Sequence, residues 1–458
     1  MKAIRVKDII EITKGKLIIG NEDLICENFS KDTRTINKGD IYIGIKGEQF
    51  DGSEFWKQAL DNGAEAVIIQ NIEINQEEIE KYSNKTIIKV DNTLEVLYEI
   101  AKYKRSLYDI PVVAITGSVG KTSTKDIIAS VVNMKYKTLK TEGNNNNNIG
   151  LPLTILKLKD HEALVIEMGM NHFGEISLLT NIAKPTLAVI TNIGTSHIGN
   201  LGSRENILKA KLEILEGMEI PRIIINNDND LLHKWYEENR ENIDIYTYGI
   251  ENKSDINAKD IKMKEEGSDF VATLKKENID IKVPIGGEHF IYNALAAVEV
   301  GRILEIPVEQ IKQGIEKFEL TKKRMDIRKL ECGAILINDS YNASYESMKA
   351  SIEYLANHTA QRRIAVLGDM FELGEFAEEL HRKVGKEVSQ KNIDMLICAG
   401  ENAKYIKEEA EKNKKIETIF MNNNEEIVEK LKQELKEKDV ILIKASNGMK
   451  FFEICQKL

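Results

Sequence analysis

Residues 112–132 read VVAITGSVGKTSTKDIIASVV and join an apolar run, a glycine turn and a helical pattern. The apolar run from Val112 to Ile115 predicts a buried strand. Two glycines in the turn allow backbone N–H groups to close on an anion, and the start of the following helix favours negative charge. Lys121 can reach the outer phosphates of a nucleotide, and the Thr122 hydroxyl can bind Mg²⁺. We therefore expect an ATP site formed by Thr116, Gly117, Ser118, Val119, Gly120, Lys121, Thr122 and Ser123.

This motif is the shorter GxxGKT form of a phosphate-binding loop. The full Walker pattern has a glycine five residues before Gly120, where this chain has Ile115. A strand-to-helix turn with a chance Lys-Thr pair is the structural alternative. The apolar run before the turn and the helical pattern after it favour the nucleotide interpretation.

Composition narrows the protein class. A chain of 458 residues predicts two to four domains, and 42% hydrophobic with 30% charged residues is typical of soluble globular proteins. The net charge of −10 argues against general nucleic-acid binding and favours a cytoplasmic location. Four scattered cysteines suggest neither a zinc site nor a disulfide framework. No apolar stretch approaches 18 residues, so no membrane insertion is expected, and a monomer is the default.

Alternating strand and helix patterns predict an α/β protein with three domains. Residues 1–109 precede the glycine loop and form a small α/β substrate domain, with strands expected at 41–45, 66–69 and 86–90. Residues 110–320 form the central P-loop domain, with a parallel mononucleotide-binding sheet. Residues 321–458 form a C-terminal Rossmann-like α/β domain.

Two polar clusters occur in the first segment, SKDTR at 30–34 and KGEQFDG at 46–52. The second follows a predicted strand, where α/β proteins bind ligands, so the clusters are candidates for holding a sugar nucleotide. Composition alone favours ordinary turn chemistry for both. The candidate substrate-binding residues are Ser30, Asp32, Arg34, Gly47, Glu48, Phe50 and Asp51.

Further candidates follow the strands of the central segment. Glu167 ends a predicted strand beside the P-loop strand, where a carboxylate is well placed for Mg²⁺. His197 follows the next strand, and its position alone leaves its role open. The pattern over 203–217 predicts one amphipathic helix, on which Lys211 would ordinarily be a solvated charge. Asparagines 144–148 form either a low-complexity loop or a ligand-facing turn.

The order of motifs along the chain resembles the Mur ligase family, ATP-dependent amide ligases that build the peptidoglycan stem peptide. The resemblance covers nearly the whole chain. The motifs that carry it are DTR at 32–34, KGEQFDG at 46–52, TGSVGKTSTK at 116–125, GNNNNNIGLP at 143–152, VIEMGMNHFGEI at 165–176, SHIGNLGSRENILKAKLEIL at 196–215, GEHFIYNALAA at 287–297, KRMDIR at 323–328, NDSYNASYESMKA at 338–350 and LGDMFELG at 367–374.

The resemblance implies a two-step reaction. A substrate carboxylate attacks the γ-phosphate of ATP to give an acyl phosphate, and an amine then displaces the phosphate. A DNPR-type motif of the sister ligase that adds meso-diaminopimelate is absent, and DSYNA occupies the comparable stretch. This difference favours the member that joins D-alanyl-D-alanine to UDP-MurNAc-tripeptide. Lysine and meso-diaminopimelate both remain open for the third residue of the stem peptide.

The resemblance also implies roles for residues near the phosphates. Lys121 would hold the β- and γ-phosphates, while Thr122 and Glu167 would bind one Mg²⁺. His197 would assist a second Mg²⁺, and Lys211 would be carbamylated beside it, which replaces its interpretation as a solvated charge. The expected catalytic set is therefore Lys121, Lys211, His197, Glu167 and Arg324.

The remaining implied roles concern the nucleoside and the peptide. Asn293 would lie on the adenine side, Arg324 would reach the γ-phosphate, and Asp339 would contact the ribose. Weaker assignments to substrate binding fall on Asn145, Asn146, Tyr341 and Asn342.

Two alternatives stand beside this interpretation. One is another member of the same enzyme class, either the tripeptide-forming ligase or a folylpolyglutamate synthase. The segment ahead of the P-loop argues against the latter. The other is a P-loop regulator without ligase chemistry, which would leave Glu167, His197 and Lys211 unexplained.

Overall fold

The computed structural model describes residues 2–47, 49–265, 267–274, 277–321 and 324–458. Three consecutive stretches of the chain each form one main sheet covered by helices, which confirms the expected three-part α/β architecture. Each main sheet lies within one of the three predicted segments, whose boundaries stay a prediction. None of the helices in the described residues is long and apolar enough to cross a membrane.

The N-terminal sheet has five strands in the order β2-β7-β6-β5-β4, and only the β2–β7 pair is antiparallel. Strand β6 (AVII) is buried throughout, as expected for a parallel strand covered on both faces. The elements of this part are β1 Ile4–Arg5, α1 Val6–Thr13, β2 Lys16–Ile19, β3 Ile25–Cys26, β4 Phe29–Ser30, β5 Ile41–Ile43, α2 Trp56–Asp61, β6 Ala66–Ile69, α3 Gln76–Lys81, β7 Thr86–Lys89 and α4 Thr93–Ser106.

The central sheet has nine strands in the order β16-β15-β14-β13-β12-β11-β8-β10-β9. It is parallel from β9 to β14, and β14, β15 and β16 add an antiparallel extension to the expected parallel sheet. Its elements are β8 Val112–Thr116, α5 Lys121–Val132, β9 Thr138–Lys140, α6 Gly150–Leu156, β10 Ala163–Glu167, α7 Glu175–Ala183, β11 Leu187–Ile190, α8 Ile198–Leu201, α9 Arg204–Leu212, β12 Arg222–Asn226, α10 Asp230–Asn239, β13 Asp244–Gly249, β14 Ile256–Lys264, β15 Gly267–Thr273, β16 Asn278–Val283, α11 Glu288–Ile303 and α12 Val308–Glu316.

The helix predicted over 203–217 is shorter than expected. Ser203 caps α9, which ends at Leu212, and the chain continues as a 3₁₀ turn over Glu213–Leu215. The Glu213 carboxylate accepts hydrogen bonds from the backbone N–H groups of Gly174 (2.8 Å) and Ser177 (3.1 Å). These are at the start of α7, so a tertiary contact, invisible in the helical pattern, accompanies the change of helix type.

The C-terminal sheet has six strands in the order β17-β18-β22-β19-β20-β21, all parallel except the β17–β18 pair. Sequence periodicity missed β17, which is exposed at the edge, and β21, which is only half-buried. The elements are β17 Asp326–Lys329, β18 Ile335–Asn338, α13 Tyr345–Ala356, β19 Arg362–Gly368, α14 Ala377–Gln390, β20 Met395–Ala399, α15 Ala403–Ala410, β21 Glu417–Met421, α16 Asn424–Glu434, β22 Asp439–Lys444 and α17 Phe452–Lys457.

The connection into the C-terminal part is tied to the P-loop helix. Asp126, buried on α5, accepts hydrogen bonds from the backbone N–H of Thr321 (3.0 Å) and from its hydroxyl (2.8 Å). Lys125 and Lys140 also pair with Asp126, each at 2.9 Å. These two cations hold the pKa of the Asp126 carboxyl below its usual value despite burial, which alone would raise it. The chain that leads into the C-terminal part therefore starts at Thr321, which is held by a buried carboxylate whose charge is balanced by two lysines.

A buried histidine holds the loop that follows β19. The backbone N–H of Met370 donates to His381 Nε2 (3.0 Å), so that nitrogen is the acceptor, and Nδ1 donates to the Ala377 carbonyl (2.6 Å). Protonation would place a second hydrogen against the Met370 N–H. Burial also disfavours the charged imidazolium and so lowers the pKa of His381.

We expect this histidine to make the protein less stable in acid. An unfolded histidine takes up its proton near pH 6.5, whereas folded His381 does so only at lower pH, so the unfolded state binds more protons between the two values. The midpoint temperature of thermal unfolding should be lower at pH 5.5 than at pH 7.5, and this difference should be smaller in His381→Gln. The matched control is His172→Gln at an exposed histidine. Equal shifts in wild type and His381→Gln would contradict the assignment.

Candidate active site

Three strand ends meet at one edge of the central sheet. Strand β8 lies between β10 and β11, so the glycine loop, Glu167 and the chain after Ile190 come together. Gly117 has φ +151°, and a Cβ there would lie 1.9 Å from the Thr191 hydroxyl oxygen. A side chain at this position cannot be accommodated without moving the neighbouring strand end. The turn therefore needs glycine where it approaches β11.

Lys121 is the first residue of α5 and reaches back over the glycine loop. Its Nζ donates to the Gly117 carbonyl at 2.8 Å. Burial lowers the pKa of Lys121, and the Glu167 carboxylate nearby works against that shift. The ammonium group is thus held over the loop whose N–H groups and helix dipole attract an anion.

Thr122 and Glu167 form a direct pair beneath the loop. The Thr122 hydroxyl donates to Glu167 Oε2 and the Asn146 amide donates to Oε1, both at 2.8 Å. The described residues contain no group of three or more His, Cys, Asp or Glu side chains suited to a metal. Mg²⁺ is commonly held by one or two carboxylates together with substrate phosphates and water, rather than by an all-protein cage. One hydroxyl and one carboxylate beside a phosphate loop therefore fit Mg²⁺.

Lys211 is a buried amine on α9. Its side chain is 1% exposed, and it forms no hydrogen bond or ion pair with any residue that the structure describes. Burial and the neighbouring charge of Lys121 place the pKa of Lys211 well below its ordinary value. Because an uncompensated buried cation is costly, this environment favours the neutral amine. Its burial contradicts the solvated charge expected from the helical pattern alone.

A cavity of about 250 Å³ opens between the central and C-terminal parts. The glycine loop from Ser118 to Lys121 lines one side, together with Ser123 and Asn293 from the same part of the chain. Arg324, Asp339, Tyr341 and Asn342 line the other side. The structure thus brings most of the predicted nucleotide residues to one cavity.

The C-terminal wall of the cavity is held by charges. The Arg324 guanidinium lies over the Tyr341 ring at 4.1 Å from its centroid. Asp339 accepts hydrogen bonds from Lys444 Nζ (2.5 Å) and the Ser351 hydroxyl (2.7 Å). Lys444 also donates to the Asn342 carbonyl at 3.1 Å. Sequence reasoning missed Lys444, although a lysine closing the buried strand VILIK was an available signal.

Asn293, on the central side of the cavity, is bonded to the P-loop helix. Its Oδ1 accepts a hydrogen bond from the Thr124 hydroxyl at 2.9 Å. Its buried Nδ2 has no partner among the described residues and is a free donor beside the cavity. His289, one turn earlier, also lines the cavity, and burial lowers its pKa to about 4. The histidine is therefore neutral at physiological pH.

His197 faces a residue that sequence reasoning did not assign to the site. Its Nδ1 lies 2.5 Å from Glu372 Oε2, a close polar contact whose angles differ from those of a regular hydrogen bond. The pKa of the Glu372 carboxyl lies below its usual value because of this histidine. Both residues have left-handed backbones, with φ +65° and +62°. Such conformations are costly outside glycine and tend to occur at functional sites.

The predicted sugar-nucleotide residues lie elsewhere, since the described residues lining the cavity all come from the central and C-terminal parts. Asp32 pairs with Arg34 (2.6 Å), and this pair lowers the pKa of Asp32 to about 2. The Ser30 hydroxyl donates to the Asp32 carbonyl at 3.2 Å. These contacts form an ordered turn, and the sugar-nucleotide role stays a prediction.

The glycine-rich loop beside that turn is also ordered by its own contacts. The Gly47 N–H donates to the Phe50 carbonyl at 2.9 Å, and Asp51 caps a short 3₁₀ helix through the Ser53 N–H at 2.9 Å. The Phe50 ring is 61% exposed. Glu48 lies outside the described residues. The substrate role of this loop therefore stays a prediction as well.

The asparagine run is a compact turn rather than a low-complexity loop. Asn146 contacts Glu167 as described above. The backbone of Asn145 packs so closely on Gly150 that a Cβ there would lie 2.4 Å from the Asn145 Cα. Asn146 thus contributes a side-chain contact and Asn145 a backbone contact. A run of five identical residues in the sequence could not reveal this difference.

Three family models match the chain in order. The Mur ligase family catalytic domain matches residues 28–105, the Mur ligase middle domain 115–301, and the Mur ligase glutamate ligase domain 323–447. The chain is also 38% identical over 458 residues to UDP-N-acetylmuramoyl-tripeptide–D-alanyl-D-alanine ligase from Bacillus subtilis. That alignment covers 99% of this chain and 98% of the relative.

Solved structures agree with the sequence matches. A crystal structure of MurF from Acinetobacter baumannii superposes with a TM-score of 0.87 at 27% identity, covering 100% of this chain and 98% of that one. MurF ligase from Thermotoga maritima, solved in complex with ADP, gives a TM-score of 0.82 at 29% identity, with 95% and 98% covered. With relatives matched along its whole length, the chain belongs to the Mur ligase family.

Proposed function

We propose that the protein is an ATP-dependent ligase that joins D-alanyl-D-alanine to UDP-MurNAc-tripeptide in peptidoglycan synthesis, with release of ADP and phosphate. The observation that carries the reaction class is that Lys121 and Arg324 line one cavity, while Thr122, next to Lys121 at the start of α5, is bonded to Glu167. The name of the Bacillus subtilis relative supplies the two substrates. We further propose that the reaction is cytoplasmic and that the enzyme acts as a monomer.

The chain's own groups suit the first step, phosphoryl transfer to a carboxylate. Such transfer depends on positioning and charge neutralisation more than on a covalent enzyme group. Lys121 and the loop amides would hold the β- and γ-phosphates from the central side, and Arg324 would approach the γ-phosphate from the C-terminal side. The free Asn293 amide would donate to the base, while Asp339 and its loop would face the ribose.

Mg²⁺ when bound would neutralise charge on the phosphates and on the carboxylate that attacks them. Thr122 and Glu167 would hold one ion, and His197 would lie near a second. Asn146 would orient the Glu167 carboxylate through its amide. These roles keep the hydroxyl and the carboxylate fixed before substrate arrives.

We propose that Lys211 is carbamylated. Carbamylation requires a neutral amine to attack CO₂, and the buried position of Lys211, with its lowered pKa, favours that form. The product is an anion, which would offset the charge of Lys121 and offer carboxylate-like oxygens to a metal. Burial would protect the adduct from water.

Asn146→Ala should raise the Mg²⁺ concentration for half-maximal turnover by about tenfold, because residues that orient a metal-binding carboxylate typically matter by 10- to 100-fold. Turnover against Mg²⁺ concentration measures this shift. Asn144→Ala at an exposed neighbouring asparagine is the matched control and should leave it unchanged. A wild-type Mg²⁺ dependence for Asn146→Ala would contradict the role.

The function is tested by phosphate release from MgATP with UDP-MurNAc-tripeptide, with and without D-alanyl-D-alanine. We expect release only with both substrates, together with a UDP-MurNAc-pentapeptide product by mass spectrometry. Parallel reactions with lysine- and meso-diaminopimelate-containing tripeptides identify the preferred third residue. Release with another amino acid but not the dipeptide would overturn the proposed acceptor. No release with any acceptor would favour a nucleotide-binding regulator.

A further inference from the structure

The loop that carries His197 lies between the phosphate loop and the C-terminal part of the protein. This β11–α8 loop, residues 191–197, follows the third strand at the active-site edge. Its contacts on both sides come from elements far away in the sequence. They form one continuous series of hydrogen bonds from the glycine loop to α13.

On its inner side the β11–α8 loop is bonded to the glycine loop. The Ser118 N–H donates to the Asn192 carbonyl (3.0 Å), and the Gly194 N–H donates to the Ser118 hydroxyl (2.8 Å). The Ser196 hydroxyl donates to the Ser118 carbonyl at 3.1 Å. Any displacement of the β11–α8 loop is therefore transmitted to the residues that would surround the phosphates.

On its outer side the same loop is held by Glu346, in the first turn of α13. The Thr195 N–H donates to Glu346 Oε1 at 2.7 Å, and the Thr195 hydroxyl donates to Oε2 at 3.1 Å. Both carboxylate oxygens are thus used across the interface. Hydrogen bonds to a charged acceptor are stronger than neutral ones, so Glu346 is a firm point of attachment.

Gly194 allows this approach. A Cβ at Gly194 would lie 2.5 Å from Glu346 Cδ and 2.6 Å from Oε1. The backbone of Gly194 is outside the left-handed region, so alanine is not excluded by conformation. An added methyl group would instead push the carboxylate away from Thr195.

Glu372 makes a second set of contacts, with the end of this loop and the start of α8. The Gly199 N–H donates to the Glu372 carbonyl at 3.1 Å, and the Glu372 carboxylate contacts His197. The C-terminal part thus contacts residues 195–199 in two places, at Thr195 and again at His197 and Gly199. The segment cannot keep these contacts if the C-terminal part moves away.

We propose that Glu346 is a positioning residue: when the C-terminal part docks, its carboxylate sets the β11–α8 loop, and with it His197 and Ser118, in the arrangement that transfers phosphate. The inference rests on the proposed ligase function. Its consequence is that the active site is complete only in the docked arrangement. Hydrolysis of ATP without correctly assembled substrates would thereby be suppressed.

The first test compares Glu346→Ala with wild type. We expect kcat to fall about 10- to 100-fold, because misplacing active-site groups by about 1 Å can cost that much, while KM for ATP changes less than about threefold. Glu346→Gln keeps one carbonyl acceptor for the Thr195 N–H and should recover much of the loss. Glu353→Ala is the matched control, since it removes the same charge from the same helix, where Glu353 pairs with Lys391. Wild-type kcat in Glu346→Ala would overturn the proposal.

A double-mutant cycle separates this role from a general loss of stability. Gly194→Ala should lower kcat to a similar extent by displacing the carboxylate. In the Glu346→Ala background the same substitution should have little further effect, because the clashing group is gone. Effects that multiply independently would overturn the direct contact.

Hydrogen exchange provides a readout that does not depend on ligase activity. Peptides covering residues 191–199 should exchange faster in Glu346→Ala than in wild type or Glu353→Ala, because the Thr195 N–H loses its acceptor. Unchanged exchange overturns the attachment itself. If Glu346→Ala exchanges faster but the wild-type protein has no ligase activity, the attachment stands and the proposed function is rejected.

Discussion

Lys121→Ala is expected to lower turnover by about 10²- to 10³-fold, the usual cost of removing a preorganised group that stabilises transition-state charge. The Lys121 ammonium lies over the glycine loop and bonds to the Gly117 carbonyl, outside the apolar core. Its loss should therefore remove phosphate neutralisation and leave folding intact. Steady-state kinetics and far-ultraviolet circular dichroism measure the two effects.

Lys125, four residues further along the same helix, is the matched control. It is 1% exposed, donates to the Thr141 carbonyl (2.9 Å) and pairs with buried Asp126. Lys125→Ala should lower the free energy of unfolding by about 1–3 kcal/mol, because the buried Thr141 carbonyl loses its donor and Asp126 keeps only Lys140 as a paired cation. The two lysines thus separate catalysis from stability. Normal turnover in Lys121→Ala with a native spectrum would refute the phosphate role.

Lys211→Ala is expected to reduce turnover at least about 100-fold, since it removes the proposed carbamate from beside the metal. Short carboxylates such as acetate or formate should restore part of the activity by filling the space left by the side chain. The residue is buried without a partner among the described residues, so its removal leaves no unpaired group behind. Kinetics with and without added carboxylate measure the loss and the rescue.

A direct signal accompanies this prediction. Protein incubated with ¹³C-bicarbonate should show a carbamate carbon resonance that is lost in Lys211→Ala. Lys209→Ala is the matched control, because Lys209 lies on the same helix but is exposed. Residues two apart point to different sides of a helix, so this variant should keep both activity and resonance. Wild-type turnover in Lys211→Ala, or no labelled resonance in wild type, would exclude the carbamate.

Local features were predictable from the sequence, and contacts between distant segments were not. Strand β8, the glycine loop and α5 are encoded within 21 consecutive residues, so their pattern predicts both structure and ligand class. Strand β6 was predicted with its observed bounds because an apolar run of that length marks a buried strand. The exposed edge strand β17 has no such run, and periodicity could not find it.

The residues that complete the site come from far along the chain. Glu346 and Thr195 are separated by 151 positions, and Lys444 and Asp339 by 105. A glutamate in the first turn of a helix is ordinarily a dipole-stabilising surface charge, so nothing local marks Glu346 as a contact. Only the folding of two sheets against each other gives these side chains their partners. The sequence-based site was therefore strongest at the phosphates and weakest where the parts meet.

The bond between Asp126 and Thr321 sets a limit on how far the C-terminal part can carry its arginine. Arg324 is three residues beyond Thr321, and an extended chain spans at most about 3.6 Å per residue. The Arg324 backbone therefore stays within about 11 Å of the Thr321 backbone, which is bonded to α5, at every domain angle that preserves that bond. Large rotations of the C-terminal part would therefore move the far strands of its sheet over a long distance and Arg324 over a short one. The anchor acts as a pivot placed close to the chemistry.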